Sequence, residues 1–516
     1  MRIAYIAAGA GGMYCGSCIH DNTLAAALGR LGHEVALLPT YTPMRTDEPS
    51  VSGPRVFYGA LNVYLQQKSA FFRHTPRALD WLLDRPRLLA WISKRFAGTT
   101  DARELGELTL AVLQGEEGPQ QKELEKLVGW LASEFRPDVV QITNSLFLGL
   151  VRRFRQELGV PVVVAVQGED LFFEDLPEPF RAQVLDEMKR RAAEVDAFIA
   201  PSRFYAEKMS AVLGVESERM RVVPLGVKGD ADEAPVEARA DSAPTIGFLA
   251  RISPEKGLHL LAEAFRELAQ RPEGANARLK IAGWLGTKDE AYFAEVMSRF
   301  DAWGLADRVE HAGELDLEGK RRFLDSLDVL SVPTVYREPK GLFVLEALAR
   351  GVPVVQPRHG SFPEMIEATG GGVLCEPDSP ADLARVLGGL LANDDERRRL
   401  GVRGREAVRR RFDEGTMARN TLAVYENLLR EDARHEGAGA TEDGTTGAGS
   451  GEKTPGTGPG ATEDGMSGAG SGEKTPGTGP GATEDETVGM GAGEERRDAG
   501  SGVTGESAAD EGAAIS

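Results

Sequence analysis

Short apolar runs recur along the first 430 residues and are separated by segments with helical periodicity. Strands that are buried on both faces read as continuous apolar runs, and strands that alternate with helices build parallel βαβ units. The pattern therefore predicts a parallel sheet covered by helices on both faces. Six such runs precede the first interruption, at residues 3–8, 35–39, 139–142, 162–166, 198–201 and 222–225.

The alternation of apolar runs and helical segments stops over residues 229–244, which are rich in Asp, Glu, Ala and Pro and have no periodicity. It then restarts with further apolar runs at residues 246–250, 280–282, 309–312, 329–333 and 352–357. We predict an α/β protein of two Rossmann-like, doubly wound domains that face each other across a cleft. A ligand is expected in that cleft, at the carboxyl ends of the strands. The predicted segments are an N-terminal domain at 1–228 with an insertion at about 54–130, a linker at 229–244, a C-terminal domain at 245–411, a helix at 412–432 and a tail at 433–516.

The tail has a different character. Gly-Ala-Thr-Glu-Asp-Gly begins at Gly439, recurs at Gly460 and returns in part at Gly481, which gives a repeat of 21 residues. The repeat contains almost no large apolar residues that could offset the entropy of ordering the chain. We therefore predict a disordered acidic tail without a catalytic role.

Charge and cysteine content narrow the classes of protein. Residues 434–516 hold 16 Asp and Glu against 5 Lys and Arg, so they account for −11 of the formal net charge of −20. The remaining body is moderately acidic and has no Lys/Arg-rich run that would follow a phosphate backbone, which argues against a nucleic-acid partner. Three cysteines supply neither a disulfide framework nor a structural zinc site, and they fit a reducing cytoplasm.

Membrane attachment is limited to a peripheral contact. Residues 3–10 form a first strand rather than a signal peptide, and no apolar run reaches 18 residues. One basic, aromatic stretch in the insertion could lie on anionic lipid at the inner membrane face or bind an anionic acceptor. An insertion with solvated charges explains it better. The stretch contains Lys68, Phe71, Phe72, Arg73, Arg77, Trp81, Arg85, Arg87, Trp91, Lys94 and Arg95.

Two glutamates stand eight residues apart beyond the run at 329–333. Glu338 falls at the end of a loop and Glu346 is expected about two turns into the following helix. The amino end of such a helix attracts a phosphate or a developing anion, and Gly341 allows a close approach of the backbone. From the spacing alone, a capping carboxylate and a surface glutamate would be the favoured interpretation.

The residues around this pair reverse that preference. Glu-x7-Glu followed by Ala-Leu-Ala-x-Gly-Val-Pro-Val-Val resembles the signature of glycosyltransferase family 4, whose members have the GT-B fold. The resemblance implies that Glu338 contacts the donor sugar, that Glu346 holds the ribose hydroxyls and that Gly341 and Leu342 bind the donor. It extends over about residues 1–430, and it identifies residues 412–429 with the helix that crosses back to the first domain.

Arg251 and Lys256 match the two cations that this family places on the donor diphosphate. Cleavage of the glycosidic bond leaves negative charge on a departing nucleoside diphosphate, and fixed cations stabilise that charge in the transition state. Either cation alone would be interpreted as a solvated loop residue. Together with the two glutamates they complete the expected set, and we assign catalytic roles to Glu338, Arg251 and Lys256.

The resemblance implies a retaining, metal-independent hexosyltransferase of carbohydrate biosynthesis. Its co-substrate would be a nucleotide-diphosphate sugar, and no other cofactor is expected. Asp230 and Asp232 imitate the Asp-x-Asp metal site of another glycosyltransferase fold, but they lie in the linker, so we predict no metal.

The turn after the first strand contains Gly11 and Gly12, which we expect to approach the donor phosphates or the acceptor. It is not the dinucleotide-binding fingerprint, because Tyr14 occupies the third glycine position and Pro39 follows the second strand where an acid is needed. This counts against an NAD enzyme. Cys15 and Cys18 near the expected helix start form either a redox switch or small packing residues.

On the acceptor side, the histidine that is common in the family is absent. The strand at 162–166 is followed by Gln167, Glu169 and Asp170. Retaining transfer does not strictly need a side-chain base, because the departing phosphate can take the proton of the acceptor. Glu169 or Asp170 could orient the acceptor hydroxyl, or both could belong to a solvated acidic turn. The acceptor, whether glycan, lipid or small molecule, is not defined by any motif.

Two other functions remain open at this level. A nucleotide-sugar epimerase or hydrolase could use the same architecture, since fold does not fix function. A catalytically inactive sugar-nucleotide-binding module is also compatible with the missing histidine, although the four donor-site residues speak against it.

Overall fold

The computed structural model describes residues 1–9, 16–53, 57–58, 102–228 and 243–442, with side chains except at 102–104 and 435–442. These residues belong to one compact unit, Met1–Thr445. Most of the predicted insertion, the linker and the tail lie outside the described residues.

The N-terminal sheet has six parallel strands in the order β2-β1-β3-β4-β5-β6. Ile3 on the central β1 is paired with Val35 on one side and with Val139 on the other. The buried runs of Val, Ile and Ala favour this arrangement, because both faces of the sheet are covered. The strands are β1 (Arg2–Ala8), β2 (Glu34–Thr40), β3 (Val139–Ile142), β4 (Val162–Ala165), β5 (Ala197–Ala200) and β6 (Met220–Val222).

The C-terminal sheet also has six parallel strands, in the order β12-β11-β10-β7-β8-β9. In each sheet the strand order reverses beside the first strand, which creates a crevice at the carboxyl ends. The strands are β7 (Thr245–Leu249), β8 (Arg278–Ala282), β9 (Val309–Gly313), β10 (Val329–Ser331), β11 (Val354–Pro357) and β12 (Gly372–Cys375). The predicted pair of Rossmann-like domains is confirmed.

Two details of the strand prediction are wrong. The run at 222–225 contains only the last residue of β6, because Pro224 cannot donate to a sheet ladder and the chain has already left the sheet. The edge strand β12 was not predicted, since it begins with Gly372 and most of its residues are only partly buried. Glycine and partial exposure hide the continuous apolar run that identified the other strands.

Helices cover both sheets and end at recognisable stop signals. Ser202 begins one helix by accepting a hydrogen bond from the amide of Tyr205, and Gly214 ends it in the left-handed conformation. The helices are α1 (Gly16–Arg30), α2 (Ala102–Leu113), α3 (Gln121–Trp130), α4 (Val151–Leu158), α5 (Asp170–Glu174), α6 (Phe180–Ala192), α7 (Arg203–Leu213), α8 (Leu258–Ala269), α9 (Glu290–Ala302), α10 (Leu317–Asp325), α11 (Leu342–Ala349), α12 (Phe362–Thr369), α13 (Pro380–Leu391), α14 (Asp394–Arg411) and α15 (Glu414–Glu442).

The last helix, α15, returns from the C-terminal domain and packs on the N-terminal sheet. Its Met417 and Tyr425 share a buried cluster with Ile3 and Tyr5 of β1. The hydroxyl of Tyr425 donates to the side chain of Gln141 on β3. The crossing helix therefore follows the C-terminal domain in the chain but completes the core of the N-terminal domain. Among the described residues, no helix is long and apolar enough to span a membrane.

Replacement of Tyr425 by alanine should destabilise the protein strongly, because it removes a wholly buried aromatic ring that joins α15 to β3. We expect the free energy of unfolding to fall by about 3–5 kcal/mol in urea denaturation. Asn427→Ala, on the exposed side of the same helix, is the control and should change it by less than about 0.5 kcal/mol. Equal effects of the two substitutions would show that α15 does not complete the N-terminal core.

Candidate functional site

The centre of the cleft is a buried ion pair between the loops that follow β7 and β10. Lys256 Nζ donates to Glu338 Oε2 over 2.7 Å and lies 2.9 Å from the hydroxyl oxygen of Tyr336. Tyr336 donates to the same carboxylate oxygen over 2.5 Å. The other oxygen, Oε1, accepts from the amides of Lys340 and Gly341 over 3.3 and 3.2 Å. Glu338 is only 3% exposed, so these partners hold the carboxylate in one orientation.

These contacts keep Glu338 ionised. Burial alone would raise its pKa, but the charge and hydrogen bond of Lys256, with the donors from Tyr336 and Gly341, lower the pKa to about 2. The charged form is therefore the stable one at neutral pH. A fixed, negatively charged group beside a cleft can accept hydrogen bonds from sugar hydroxyls or stabilise a developing positive charge.

Three glycines allow the loops around this pair to approach one another. Gly257 has φ +74°, and a Cβ there would lie 1.8 Å from the backbone oxygen of Pro333. Gly360 has φ +60°, and its Cβ would lie 2.6 Å from the backbone oxygen of Glu338. Gly341, at φ +62°, precedes α11. Side chains at these positions would push the loops apart and displace the carboxylate.

Arg251 lies in the loop after β7. Its guanidinium pairs with Glu255, while its Nε is buried and has no hydrogen-bond partner in the part of the chain that the structure describes. Burial would raise the pKa of Glu255, but the Arg251 charge and several hydrogen bonds together lower it. An unsatisfied, charged N–H donor favours an anionic ligand at this position.

Glu346 lies on α11, which begins at Leu342, so the residue is about one turn into the helix and not two as predicted. Its Oε1 accepts from Lys320 Nζ on α10 over 2.5 Å, and the same ammonium donates to Asp47 Oδ2 of the N-terminal domain over 2.5 Å. Burial raises the pKa of Glu346. The positive charge of Lys320 opposes this increase, and the negative charge of Asp47 adds to it. All three side chains line the same cavity.

The loop from Glu338 to Gly341 also contacts the N-terminal domain. The backbone oxygen of Pro339 accepts from Ser202 Oγ over 2.9 Å, and Lys340 Nζ donates to Ser17 Oγ, near the start of α1, over 2.7 Å. A nearby carboxylate, Glu364, accepts from the amides of Arg203 and Phe204 at the start of α7. The loop from Glu338 to Gly341 is thus held by contacts with both domains.

On the acceptor side, Gln167 joins a buried network centred on Asp21. Gln167 Nε2 and the hydroxyl of Tyr5 each donate to Asp21 Oδ1 over 2.8 Å, and Thr143 donates to Asp21 Oδ2 over 2.5 Å. Asp21 is 1% exposed. The network fixes Gln167 at the end of β4, and its amide oxygen is buried without a partner among the described residues.

Glu169 and Asp170 are both occupied by neighbouring groups. Glu169 Oε1 accepts from the amide and the hydroxyl of Ser145 over 3.0 and 2.6 Å, and Oε2 accepts from the Gln167 amide over 2.6 Å. Asp170 accepts from Tyr205 over 2.9 Å and from Lys208 over 2.5 Å. Neither is a solvated turn residue, because both are buried. Their contacts order the end of β4 and the start of α7.

Several predicted features cannot be placed. Gly11, Gly12 and Cys15 lie outside the described residues, as do the basic, aromatic stretch of the insertion and the Asp-x-Asp of the linker. Cys18 is buried on α1, where its Sγ donates to the backbone oxygen of Ala8 over 3.3 Å. Within the described ranges, no group of three or more His, Cys, Asp and Glu side chains is arranged to hold a metal ion.

The structure adds residues that the sequence reasoning missed. Tyr336 and Lys340 stood inside the recognised motif, and their types alone, a phenol and an ammonium beside Glu338, could have suggested a role. Lys320, Asp47 and Asp21 gave no such signal, because each lies far along the chain from its partners.

Comparison with known proteins identifies the family of the chain. The glycosyl transferase 4-like domain matches residues 22–226, and the glycosyl transferases group 1 model matches residues 230–407. A D-inositol 3-phosphate glycosyltransferase of Xylanimonas cellulosilytica is 32% identical over 267 residues, which are 49% of this chain and 61% of the relative. This chain therefore spans about three-fifths of that relative's length.

Solved structures show the same fold at lower identity. Sucrose-phosphate synthase from Thermosynechococcus elongatus gives a TM-score of 0.59 at 20% identity, with 84% of this chain and 100% of that chain covered. Anabaena HepE in complex with UDP gives 0.57 at 16% identity, with 83% and 100% covered.

Replacement of Lys256 by methionine should make stability depend on pH in a way that the wild type does not. In the wild type, the low pKa of Glu338 stabilises the fold above its unfolded pKa, and this stabilisation is lost only as the pH falls toward 2. Without Lys256, burial dominates and raises the pKa of Glu338, so the ionised form becomes unfavourable. We expect a loss of about 3 kcal/mol at pH 7 that shrinks toward pH 4 in urea titrations.

The matched control is Lys340→Met, since this neighbouring ammonium donates to Ser17 and, among the described residues, pairs with no carboxylate. Its effect on stability should be the same at pH 7 and pH 4. A pH-independent loss for Lys256→Met would contradict the assignment of the ion pair.

Proposed function

Because this chain belongs to the group 1 glycosyltransferases and carries their glycosyl transferase 4-like domain, we propose that it transfers a sugar from a nucleoside-diphosphate donor to a hydroxyl of an acceptor. One observation carries the proposal. Arg251 and Lys256 follow β7, Glu338 and Glu346 follow β10, and the contact of Lys256 with Glu338, 82 residues away, brings the two adjacent loops together.

The cations suit a diphosphate. Arg251 Nε has no hydrogen-bond partner within the described part of the chain. The Lys256 ammonium lies over the rings of Tyr336 and Phe343 and pairs with Glu338. The amides at the start of α11 add the positive end of the helix dipole. Charge that develops on the departing nucleoside diphosphate would be stabilised by groups that are already in position, without reorganisation at the moment of bond cleavage.

Glu338 would contact the transferred sugar. Its carboxylate is ionised and oriented by Lys256, Tyr336 and the Gly341 amide. In that state it accepts hydrogen bonds from sugar hydroxyls and stabilises positive charge at the anomeric carbon as the bond to phosphate lengthens. Glu346 would bind the ribose hydroxyls, which requires Lys320 to share or release the carboxylate.

The transfer balances without a side-chain base. The bond between the anomeric carbon and the phosphate oxygen breaks, and the acceptor oxygen forms the new bond on the same face. The acceptor proton passes to the phosphate oxygen of the departing nucleoside diphosphate. This course retains the anomeric configuration and needs no metal, since fixed cations supply the charge. It also agrees with the occupation of Glu169 and Asp170 by structural partners.

The acceptor is assigned only by class. The Xylanimonas relative is named for an inositol phosphate acceptor, and the Anabaena structure contains UDP. For this chain we propose a hydroxylated small molecule, a glycan or a lipid-linked sugar as acceptor, with a contact at a membrane surface expected in the last case. A uridine, guanosine or adenosine diphosphate sugar is the donor class to be screened.

The donor site can be tested by titrating UDP, GDP and ADP into the protein in a calorimeter. We expect one nucleotide to bind and both Arg251→Ala and Glu346→Ala to weaken it by about 10- to 100-fold, because each removes a charge-assisted contact. Arg358→Ala is the control, since Arg358 is largely exposed and its nearest carboxylate is 3.7 Å away. Failure of the wild type to bind any of the three would contradict the donor proposal.

The catalytic role of Glu338 predicts a separation of binding from turnover. Glu338→Gln should bind the nucleotide within about threefold of wild type but lower the rate of acceptor-dependent nucleoside diphosphate release by at least about 100-fold. Glu376→Gln, an exposed glutamate of the same domain, should leave the rate unchanged. NMR of the product should show the anomeric configuration of the donor; turnover without an acceptor would instead indicate an epimerase or hydrolase.

A further inference from the structure

A cavity lies between α1 of the N-terminal domain and helices α10 and α11 of the C-terminal domain. Ile19 and His20 of α1 form one wall, and Leu342 and Glu346 of α11 form the opposite one. Leu342, which lines this cavity, is the first residue of the helix that begins four residues after Glu338. Whatever group Glu346 binds must occupy this space.

Two carboxylates from different domains meet in the cavity on a single ammonium. Lys320 Nζ lies 2.5 Å from Glu346 Oε1 and 2.5 Å from Asp47 Oδ2. The three side chains are 13%, 16% and 4% exposed for Lys320, Glu346 and Asp47. One ammonium is shared by two carboxylates, so the oxygens that it does not contact can still accept hydrogen bonds from a ligand.

The second oxygen of Asp47 has no donor. Oδ1 is buried and has no hydrogen-bond partner within the described portion of the chain. A buried carboxylate oxygen without a partner costs free energy that a hydroxyl group from a ligand would recover. Because ionised carboxylates only accept hydrogen bonds, the matching ligand group is a hydroxyl or an amine and not a phosphate.

We propose that Asp47 is a second ribose-binding residue, so that the donor ribose is held by one carboxylate from each domain. The proposal rests on the proposed function, which gives Glu346 to the ribose. A ribose offers two adjacent hydroxyls, and Glu346 and Asp47 offer two acceptors that Lys320 holds at a common centre. Since Asp47 belongs to the N-terminal domain, donor binding would then require the cleft to be closed.

The other charged groups of the cavity do not replace this role. Arg350, on the same side as Glu346, donates to both oxygens of Asp325 over 2.7 and 2.8 Å. Glu48 also lines the cavity, and burial raises its pKa, opposed mainly by Lys228. Asp47 is distinguished from Glu48 by its contact with the ammonium that Glu346 shares.

The test compares ribonucleotides with nucleotides that lack the two hydroxyls. UDP, GDP and ADP and their 2′,3′-dideoxy counterparts are titrated into wild type and Asp47→Asn. For the base that wild type binds, we expect the Asp47→Asn variant to lose about tenfold in affinity for the ribonucleotide and less than about twofold for the dideoxynucleotide. Glu346→Gln should show the same selective loss of affinity for the ribonucleotide. The double variant should lose less affinity than the product of the two single fold-changes.

Glu314→Gln is the matched control. Glu314 is another carboxylate in a cross-domain ion pair, 3.2 Å from Arg45, but it does not line the cavity. The substitution should leave the affinities for the ribonucleotide and the dideoxynucleotide unchanged. Equal losses for the two kinds of nucleotide in Asp47→Asn would assign Asp47 to domain closure alone and overturn the proposal, as would no loss at all. If wild type binds a nucleotide but does not discriminate against the dideoxy form, the ribose assignment fails while the donor proposal stands. If wild type binds none, both fail.

Discussion

The buried ion pair between Lys256 and Glu338 is the interaction on which the rest of the site depends. It joins the loops after β7 and β10, which are adjacent strands of the C-terminal sheet, and it fixes the carboxylate from which the loop continues into α11. A buried carboxylate needs a charged partner and further hydrogen bonds to stay ionised, and Lys256, Tyr336 and the Gly341 amide supply them. The contacts that stabilise the buried carboxylate are thus the same ones that the proposed chemistry requires.

The loop fixed in this way also brings the two domains together. Pro339 and Lys340 contact Ser202 and Ser17 of the N-terminal domain immediately beyond Glu338. Deeper in the cleft, Lys320 joins carboxylates from both domains. The crossing helix α15 packs on the N-terminal core and connects the domains a third time. The residues that we assign to the donor therefore lie on elements whose relative position is set by several independent contacts.

The sequence was sufficient to predict the architecture and to point to the local part of the candidate site. Continuous apolar runs predicted ten of the strands with small errors at their ends, because buried parallel strands leave a strong signal. Glu338 and Glu346 were found since they share one loop and helix. The edge strand β12 and the bridge from Asp47 to Lys320 were not, because the first is glycine-rich and the second joins residues 273 positions apart. Periodicity carries no information about pairs brought together only by domain packing.

A crystal structure of the protein with a bound nucleoside diphosphate would test the central claim most directly. The account predicts that the diphosphate lies between Arg251 Nε and Lys256 Nζ, at hydrogen-bonding distances of about 3 Å, with Glu338 still paired to Lys256 and the ribose at Glu346. A nucleotide bound elsewhere, or bound here only after the ion pair has separated and Glu338 has turned away from the cleft, would contradict it.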